Sequence, residues 1–309
     1  MSKPVFSITV LGANSALPAY DRHPTAQVLT CDQSTYLIDC GEGTQMQLRR
    51  YGIKFQRIKA IFISHLHGDH YYGLLGLLNS MNLLGRKAGI TLVAPSELKE
   101  IMELQQRVGK ARLDFPLEFI STNEVSKDVT QLVYKDKQIS VRAFGLKHRV
   151  HCSGFLFEEN ERPKTYLPKQ GRRYGVPVEA IPSIKAGKDF TDKAGKVIPN
   201  VELTIDPYTP RTYAFCTDTL PLDSTAEHVK GVDCLYHEST FMEAESTRAK
   251  KTHHTTAKQA AELAKKAEVK RLLLGHFSAR YEELSGLLEE AKAVYQPVEL
   301  ALEGTTFFI

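Results

Sequence analysis

Three histidines and one aspartate lie within six positions, directly after an apolar run at residues 58–63. They belong to the stretch Ser64-His65-Leu66-His67-Gly68-Asp69-His70, an H-x-H-x-D-H pattern. Imidazole and carboxylate groups suit zinc and its neighbours among the first-row metals, and the aspartate adds a hard oxygen ligand for a second ion. The alternative is a solvated polar turn that binds no metal, but such a turn does not explain so dense a set of ligand-type side chains. The pattern therefore predicts a metal site at the end of a strand.

Three other strand ends carry ligand-type side chains, namely His148, Asp218 and His276. With the first cluster they make seven candidate ligands, whereas two four-coordinate ions need eight positions among protein groups and water. One carboxylate that bridges both ions would supply the difference. Two-metal sites of this kind hold their ions about 3.5–4 Å apart and stabilise an in-line displacement. The alternative for His148 is a surface histidine, like its neighbour His151.

The elements that must position these residues read as alternating strands and helices. Strand-type patterns cover residues 5–11, 26–30, 36–39, 58–63, 213–218, 234–238 and 271–276. Helical patterns cover residues 44–51, 71–84, 256–267 and 281–295. Several strands end in ligand-type residues, which indicates a site on one rim of the sheets. We therefore predict an α/β fold that forms a single domain over residues 1–309.

Positive charge is concentrated in one irregular segment, residues about 158–205, which we call the basic insertion. Between residues 162 and 196 it holds nine lysines and arginines against three acids, a net charge of +6, whereas the whole chain carries only +4. Prolines and glycines interrupt any helix or strand period. A long insertion of this kind is either functional or a solvated loop.

The composition is that of an ordinary globular protein, with 42% hydrophobic and 25% charged residues among 309. Five dispersed cysteines without a C-x-x-C pair predict free thiols in a reducing compartment. The N-terminal residues lack the apolar stretch of a signal peptide, and no apolar run reaches the length of a membrane span. These features predict a cytoplasmic protein with no membrane partner.

Further motifs extend along nearly the whole chain. They read Asp39-Cys40-Gly41-Glu42-Gly43-Thr44-Gln45, His237-Glu238-Ser239-Thr240, His254-Thr255-Thr256 and His276-Phe277-Ser278-Ala279-Arg280-Tyr281. With these motifs the chain resembles the metallo-β-lactamase superfamily and, within it, the short-form ribonuclease Z family of tRNA 3′-processing endoribonucleases. The resemblance implies an αββα sandwich of two mixed β-sheets flanked by helices, with the basic insertion as a flexible arm.

The resemblance also implies a zinc-dependent cleavage of precursor tRNA. One zinc ion would be held by His65, His67 and His148, and the other by Asp69, His70 and His276, with Asp218 bridging. Manganese or iron would accept the same ligands. A hydroxide that bridges the metals would attack in line and leave a 3′-hydroxyl on the tRNA and a 5′-phosphate on the trailer.

The remaining site residues also come from the resemblance. Asp69 would act as general base, and His254, oriented by Glu238, would donate a proton to the leaving 3′-oxygen. His254 is preferred to the adjacent His253 because two threonines follow it. Asp39 would lie behind the ligands and orient one of the ligand histidines. His237 is either a core histidine that supports its loop or a participant in the site, and the sequence favours neither interpretation.

In the family, the arm grips the tRNA body and serves the active site of the partner subunit, which implies a homodimer. The arm residues expected to contact RNA are Lys164, Lys169, Arg172, Arg173, Lys185 and Lys188. The chain departs from the family pattern at His23, where asparagine is usual, and in lacking a Gly-Pro pair at the arm tip. Competing functions are a zinc phosphodiesterase for small diesters, an RNA-binding protein with structural metals, and a lactonase or β-lactamase.

Overall fold

The computed structural model describes residues 4–309, so the first three residues of the predicted 1–309 domain lie outside the described residues. Two seven-stranded sheets form the framework. In spatial order the first sheet contains Thr306–Phe308, Phe6–Gly12, Ala26–Cys31, Ser34–Ile38, Ile58–Phe62, Ile90–Ala94 and Leu117–Ser121. The second contains Val298–Leu300, Leu272–Gly275, Cys234–Glu238, Thr212–Cys216, Ser153–Glu159, Ile139–Gly145 and Gln131–Lys135.

The first sheet is antiparallel at one edge and parallel at the other. Phe6–Gly12 pairs antiparallel with both of its neighbours, whereas Ile58–Phe62 pairs parallel with both of its own. Every residue of Ile58–Phe62 except Lys59 is buried, as expected for a strand covered on both faces. The chain leaves this strand directly into the H-x-H-x-D-H motif, so the rigid centre of the sheet supports the cluster.

The second sheet brings the ends of three strands that precede or carry predicted site residues to one edge. Thr212–Cys216, Cys234–Glu238 and Leu272–Gly275 run parallel to one another. The register places Glu238 opposite Gly275. Because the carboxyl ends of parallel strands meet at the same edge of a sheet, the residues that follow these strands converge there.

Apolar side chains fill the space between the two sheets. Phe62 of the first sheet meets Phe155 and Phe157 of the second edge-on, with ring centroids 5.5 and 5.1 Å apart. The helices Thr44–Arg50, Leu74–Leu83 and Glu97–Gly109 cover the outer face of the first sheet, and Ala257–Lys266 and Ser285–Lys292 pack on the second. The predicted α/β class, two mixed sheets flanked by helices, is confirmed.

Shorter elements complete the two-sheet unit, which comprises residues 4–158 and 211–309. They are the helices Gly68–Tyr71, Asp223–His228 and Ser246–Thr252, the 3₁₀ turns Phe55–Arg57 and Glu243–Glu245, and a parallel pair formed by Asn14–Ser15 and Phe277–Ser278. All five cysteines are buried and free. None of the helices in the described part of the chain is both long and apolar enough to cross a bilayer.

Residues 159–210 form a separate compact unit that contains most of the basic insertion. Its helices are Pro168–Arg173, Ile181–Lys185 and Asn200–Leu203, with the 3₁₀ turn Val178–Ala180. Its two strand pairs are Thr165–Tyr166 with Thr204–Ile205, and Phe190–Thr191 with Val197–Ile198. Ile184, Ile198 and Leu203 make a small apolar core. The segment therefore has local structure that its proline and glycine content concealed.

The expected helix over residues 71–84 is divided into two. Gly68–Tyr71 and Leu74–Leu83 are separated at Gly73, whose N–H donates to the carbonyl of Cys40 at 2.9 Å. A Cβ atom at Gly73 would lie 2.2 Å from the carbonyl oxygen of Gly41. This close approach of two backbone segments requires glycine and interrupts the helix.

Candidate metal centre

His65, His67 and His148 surround one carboxylate oxygen of Asp218. His67 Nδ1 lies 3.1 Å from His65 Nε2 and 3.2 Å from His148 Nε2. Asp218 Oδ2 lies 3.5 Å from His65 Nε2 and 3.6 Å from His148 Nε2. Ligands about 2.0–2.2 Å from a tetrahedral zinc ion stand about 3.4 Å from one another. These four atoms therefore have the spacing of a metal-ligand set.

A second set forms around the other oxygen of Asp218. Asp218 Oδ1 lies 3.3 Å from His70 Nε2 and 3.1 Å from His276 Nε2. Asp69 Oδ2 lies 3.4 Å from His70 Nε2 and 3.5 Å from His276 Nε2. Asp218 thus offers one oxygen to each set, and all seven residues predicted as ligands are brought together.

Two buried nitrogen atoms show that the second set fits a cation. The Nε2 atoms of His70 and His276 are buried, and neither has a hydrogen-bond partner among the described residues. A buried ring nitrogen without a partner is costly unless another ligand satisfies it. Both nitrogens face carboxylate oxygens at contact distance, which is the donor arrangement that a divalent metal requires. The His and Asp clusters are therefore compatible with a metal-binding site.

The second nitrogen of most ligand histidines is held by a neighbouring group. His70 Nδ1 lies 2.7 Å from Asp39 Oδ2, and His148 Nδ1 donates to the carbonyl of His253 at 3.1 Å. The Thr240 hydroxyl donates to Glu238, so its oxygen accepts from His276 Nδ1 at 2.9 Å. Such partners fix the tautomer and leave Nε2 free to bind a metal.

Ser64 extends the role of Asp39 to the first set. The backbone N–H and the hydroxyl of Ser64 both donate to Asp39, at 2.7 and 2.9 Å. Because its hydroxyl proton is used there, the Ser64 oxygen is an acceptor for His65 Nδ1, 3.0 Å away. Asp39 therefore supports a histidine of each set, one directly and one through Ser64. Sequence reasoning predicted that Asp39 orients one ligand histidine. It did not identify a role for Ser64, although Ser64 begins the motif.

At His65, His148 and Asp218 the electrostatics favour the protonation states that metal binding requires, whereas at His70 a metal ion would have to displace a proton. Burial lowers the pKa of His65 well below its usual range and that of His148 to about 4, so both rings are neutral at pH 7. Burial opposes ionisation of Asp218, but the histidines around it, His276 first, hold its pKa well below the usual range. Burial also opposes a charge on His70, yet Asp69 and the other nearby carboxylates raise its pKa well above normal. This position is thus built to hold positive charge.

His254 lies beside the ligand sets and is held by Glu238. Its Nδ1 is 3.1 and 3.2 Å from the two carboxylate oxygens of Glu238, which is fully buried. Burial disfavours the charged ring, but Glu238 outweighs it and raises the pKa of His254 to about 9. Its Nε2 lies 4.0 Å from Asp218 Oδ2, farther than any ligand nitrogen described above. His254 also lies close enough to Asp218 and His276 for the three to hold a metal ion, but its contact with Glu238 and its raised pKa favour a charged ring, which suits a proton donor.

The neighbouring histidines have other positions. His253 has a left-handed backbone, with φ of 61°, and contributes its carbonyl group to His148. His237 is buried and donates from Nδ1 to the carbonyl of Glu238 at 2.8 Å. His237 lies outside both ligand sets. The His253 ring contacts the His148 ring edge-on, with centroids 6.3 Å apart, whereas His254 directs a ring nitrogen towards Asp218.

One contact to the centre comes from a segment that sequence reasoning did not connect with it. The N–H of Ala16 donates to Asp69 Oδ2 at 2.7 Å. Ala16 has φ of 61°, a conformation that non-glycine residues rarely adopt. His276 has φ of 58° and Asp39 has φ of 53°, so unusual backbone conformations are concentrated around the centre. No signal in the sequence marks these three positions as left-handed.

The cations expected to contact RNA lie within the 159–210 unit. Lys169, Arg172, Arg173 and Lys188 are exposed, while Lys164 and Lys185 are half-buried. Lys164 pairs with Asp206 at 2.6 Å, and the Arg173 guanidinium lies over the Tyr174 ring, 5.4 Å from its centroid. The unit therefore presents most of these charges to solvent.

Comparison with known proteins places the chain among metal-dependent hydrolases. The family model "Anti-Pycsar protein Apyc1" matches residues 6–161, and "Beta-lactamase superfamily domain" matches residues 169–277. The ribonuclease Z of Bacteroides thetaiotaomicron is 45% identical over 299 residues, covering 97% of this chain and 94% of the relative. That of Parabacteroides distasonis is 42% identical and covers 97% of each chain.

Solved structures agree with these matches. Human tRNase Z, short form, superposes with a TM-score of 0.69 at 28% identity and covers 97% of this chain and 98% of its own. The metallo-β-lactamase fold protein YhfI from Bacillus subtilis gives a TM-score of 0.70 at 16% identity, with 99% and 100% coverage, and so supports the fold alone. On its relatives and its two-sheet architecture, this chain belongs to the ribonuclease Z family and has the metallo-β-lactamase fold.

Proposed function

We propose that this protein is a zinc-dependent endoribonuclease that removes the 3′ trailer from precursor tRNA. The observation that carries the proposal is the division of the Asp218 carboxylate between two ligand sets, one oxygen to each. Two metal ions held by these sets would stabilise the attacking and leaving oxygens of a phosphodiester. The relatives named ribonuclease Z and human tRNase Z supply the substrate class.

The donor set supports two zinc ions. His65, His67 and His148 would hold one ion, and Asp69, His70 and His276 the other, with Asp218 bridging. Neutral imidazole and ionised carboxylate suit zinc, and manganese or iron would accept the same groups. When bound, the ions polarise the phosphate and lower the pKa of a water molecule towards 7.

The chain's own groups move the protons of the hydrolysis. Asp69, the general base, takes a proton from the attacking water while the oxygen of that water bonds to phosphorus. The bond between phosphorus and the 3′-oxygen breaks, and His254 donates a proton to that oxygen, leaving a 3′-hydroxyl on the tRNA. The trailer keeps a 5′-phosphate. Glu238 holds His254 in place for this step through its Nδ1.

The exposed cations of the 159–210 unit support a role in holding the tRNA body. Folded RNA is recognised mainly through its phosphates and shape, which requires solvent-exposed positive charge rather than a fixed pocket. In this proposal the enzyme is a homodimer in which the unit of one subunit serves the active site of the other. The five free cysteines fit a reducing compartment such as the cytoplasm.

Single-turnover cleavage of a precursor tRNA with a 3′ trailer tests the function. We expect zinc-dependent cutting just after the discriminator nucleotide, lost with a chelator and in Asp69→Ala. The size and end groups of the two products would be determined on a gel and by mass spectrometry. If the RNA stays intact while a small phosphodiester is hydrolysed, the protein is instead a general phosphodiesterase of the same fold.

A further inference from the structure

A cavity of about 510 Å³ opens beside His254. Its walls include Leu220, Pro221, Ser246, Thr247, Lys250 and His254, and the polar residues Glu243 and Gln259 complete the lining. The volume lies within the range of small-molecule sites and is large enough for one nucleoside. None of the groups that would hold the metals lines this cavity, so it is a separate feature next to the reacting centre.

The residues that line the cavity are of two chemical kinds. Leu220 and Pro221 follow Asp218 and Thr219 in the chain and supply apolar surface. Ser246, Thr247 and Lys250 lie on the helix Ser246–Thr252, where the spacings of three and four residues place them on one face. Within residues 4–309, neither hydroxyl has a side-chain hydrogen bond and Lys250 has no ion pair. Apolar side chains together with unpaired hydroxyls and a cation suit a base, a ribose and a phosphate.

His254 determines which nucleotide can lie there. Its Nδ1 is held by Glu238, and its Nε2 faces Asp218 Oδ2 at 4.0 Å, so the ring stands between the cavity and the ligand sets. In the proposed reaction His254 protonates the leaving 3′-oxygen. The nucleoside that carries this oxygen must therefore lie on the side of His254.

We infer that this cavity binds the last retained nucleotide of the precursor, the one whose 3′-oxygen leaves, an inference that rests on the proposed function. Its base packs against Leu220 and Pro221. The hydroxyls of Ser246 and Thr247 bind the base edge or the ribose 2′-hydroxyl, and Lys250 contacts the phosphate on the 5′ side. Single-stranded RNA ends are recognised in this manner, with an unstacked base held by the protein.

Three substrates test the inference in single-turnover cleavage. One is intact, one lacks the base of the last retained nucleotide, and one lacks the base of the first trailer nucleotide. With the unmodified enzyme we expect kcat/KM to fall about tenfold for the second substrate, which corresponds to 1.4 kcal/mol, and less than about twofold for the third. A larger loss for the third substrate would place the trailer in the cavity and overturn the inference.

A variant links the effect to the cavity. The double substitution Thr247→Val with Lys250→Met should lower kcat/KM for the intact precursor about tenfold, since it removes the polar contacts. Removing the base of the last retained nucleotide should then cost less than it does with the unmodified enzyme, because the contact of Thr247 with the base edge is already lost while the packing on Leu220 and Pro221 remains. Lys251→Met is the matched control, because Lys251 is exposed on the same helix but does not line the cavity. It should behave like the unmodified enzyme on all three substrates.

The outcomes separate the two proposals. If the unmodified enzyme does not cut the intact precursor, the proposed function is wrong. If it cuts that precursor but the double variant loses the same factor on all three substrates, the function stands and the inference about the cavity is wrong. A merely structural effect of the double substitution would give this second pattern, because it would not depend on the base.

Discussion

The metal centre and the 159–210 unit hold their charged side chains in opposite ways. In the metal centre the charged groups are buried, and a neighbouring group orients most of the ligand histidines, as Asp39 does for His70. In the 159–210 unit most of the cations are exposed, over a small apolar core. Bond breaking requires groups held at fixed distances out of water. Contact with RNA phosphates needs positive charge that stays solvated. Changes in the first region should therefore affect the rate of cleavage, and changes in the second the affinity.

The largest effect is expected for Asp218→Ala, because it removes one ligand from each set. Metal content, measured by inductively coupled plasma mass spectrometry, should fall below two ions per chain. Cleavage should drop by roughly 10³-fold or more, beyond the 10–100-fold cost of losing a group that only orients a ligand. The control is Asp223→Ala, which removes an exposed aspartate that pairs with Lys266. Two bound ions in Asp218→Ala would refute the bridging role.

His254→Ala should slow the chemical step while both metals stay bound. Loss of a general acid costs roughly 10²–10⁴-fold, and the effect should appear in kcat rather than in KM. The matched control is His253→Asn, since His253 supports His148 through its backbone carbonyl and asparagine tolerates its left-handed conformation. If His253→Asn were the more damaging change, the assignment of the proton donor to His254 would be wrong.

Ser64→Ala should weaken metal binding without removing a ligand. The substitution removes the hydroxyl hydrogen bond to Asp39 and the oxygen acceptor of His65 Nδ1, which keeps only the Cys152 sulfur 3.7 Å away. An affinity loss of about 10–100-fold is typical for such supporting groups. Competition with a chromophoric chelator measures it directly. Ser96→Ala, at an exposed serine, provides the comparison, and equal affinities in the two variants would exclude the relay through Ser64.

The smallest effect per residue is expected in the 159–210 unit. Replacing Lys169, Arg172 and Arg173 by alanine should raise KM for precursor tRNA. It should also reduce the slope of log affinity against log salt by about 0.9 for each duplex phosphate that the protein no longer neutralises. The control replaces the exposed Lys99 and Arg107 of the helix Glu97–Gly109 and the exposed Lys110 that follows it. A fall in kcat with unchanged KM and salt slope would contradict the division between the two regions.

Local patterns were enough to predict much of the framework. The strand Cys234–Glu238 has the predicted bounds, and Thr44–Arg50, Ile58–Phe62 and Ala257–Lys266 differ from prediction by only one residue at one or both ends. Periodicity predicts such elements because burial of one face or of a whole strand leaves a regular apolar pattern. The helix Glu97–Gly109 and the short elements of the 159–210 unit escaped prediction. In the latter, two- to six-residue elements are too short to establish a period.

The sequence by itself determined which side chains could bind metal and that they follow strands, because ligand chemistry and strand patterns are properties of neighbouring residues. Only the tertiary structure decided how the oxygens of Asp218 are shared and that His254 rather than His253 faces the centre. The same holds for the contacts of Asp39 with Ser64, of Thr240 with His276, and of Ala16 with Asp69. These contacts join residues 25, 36 and 53 positions apart. Such contacts depend on sheet register and backbone conformation, which no local pattern encodes.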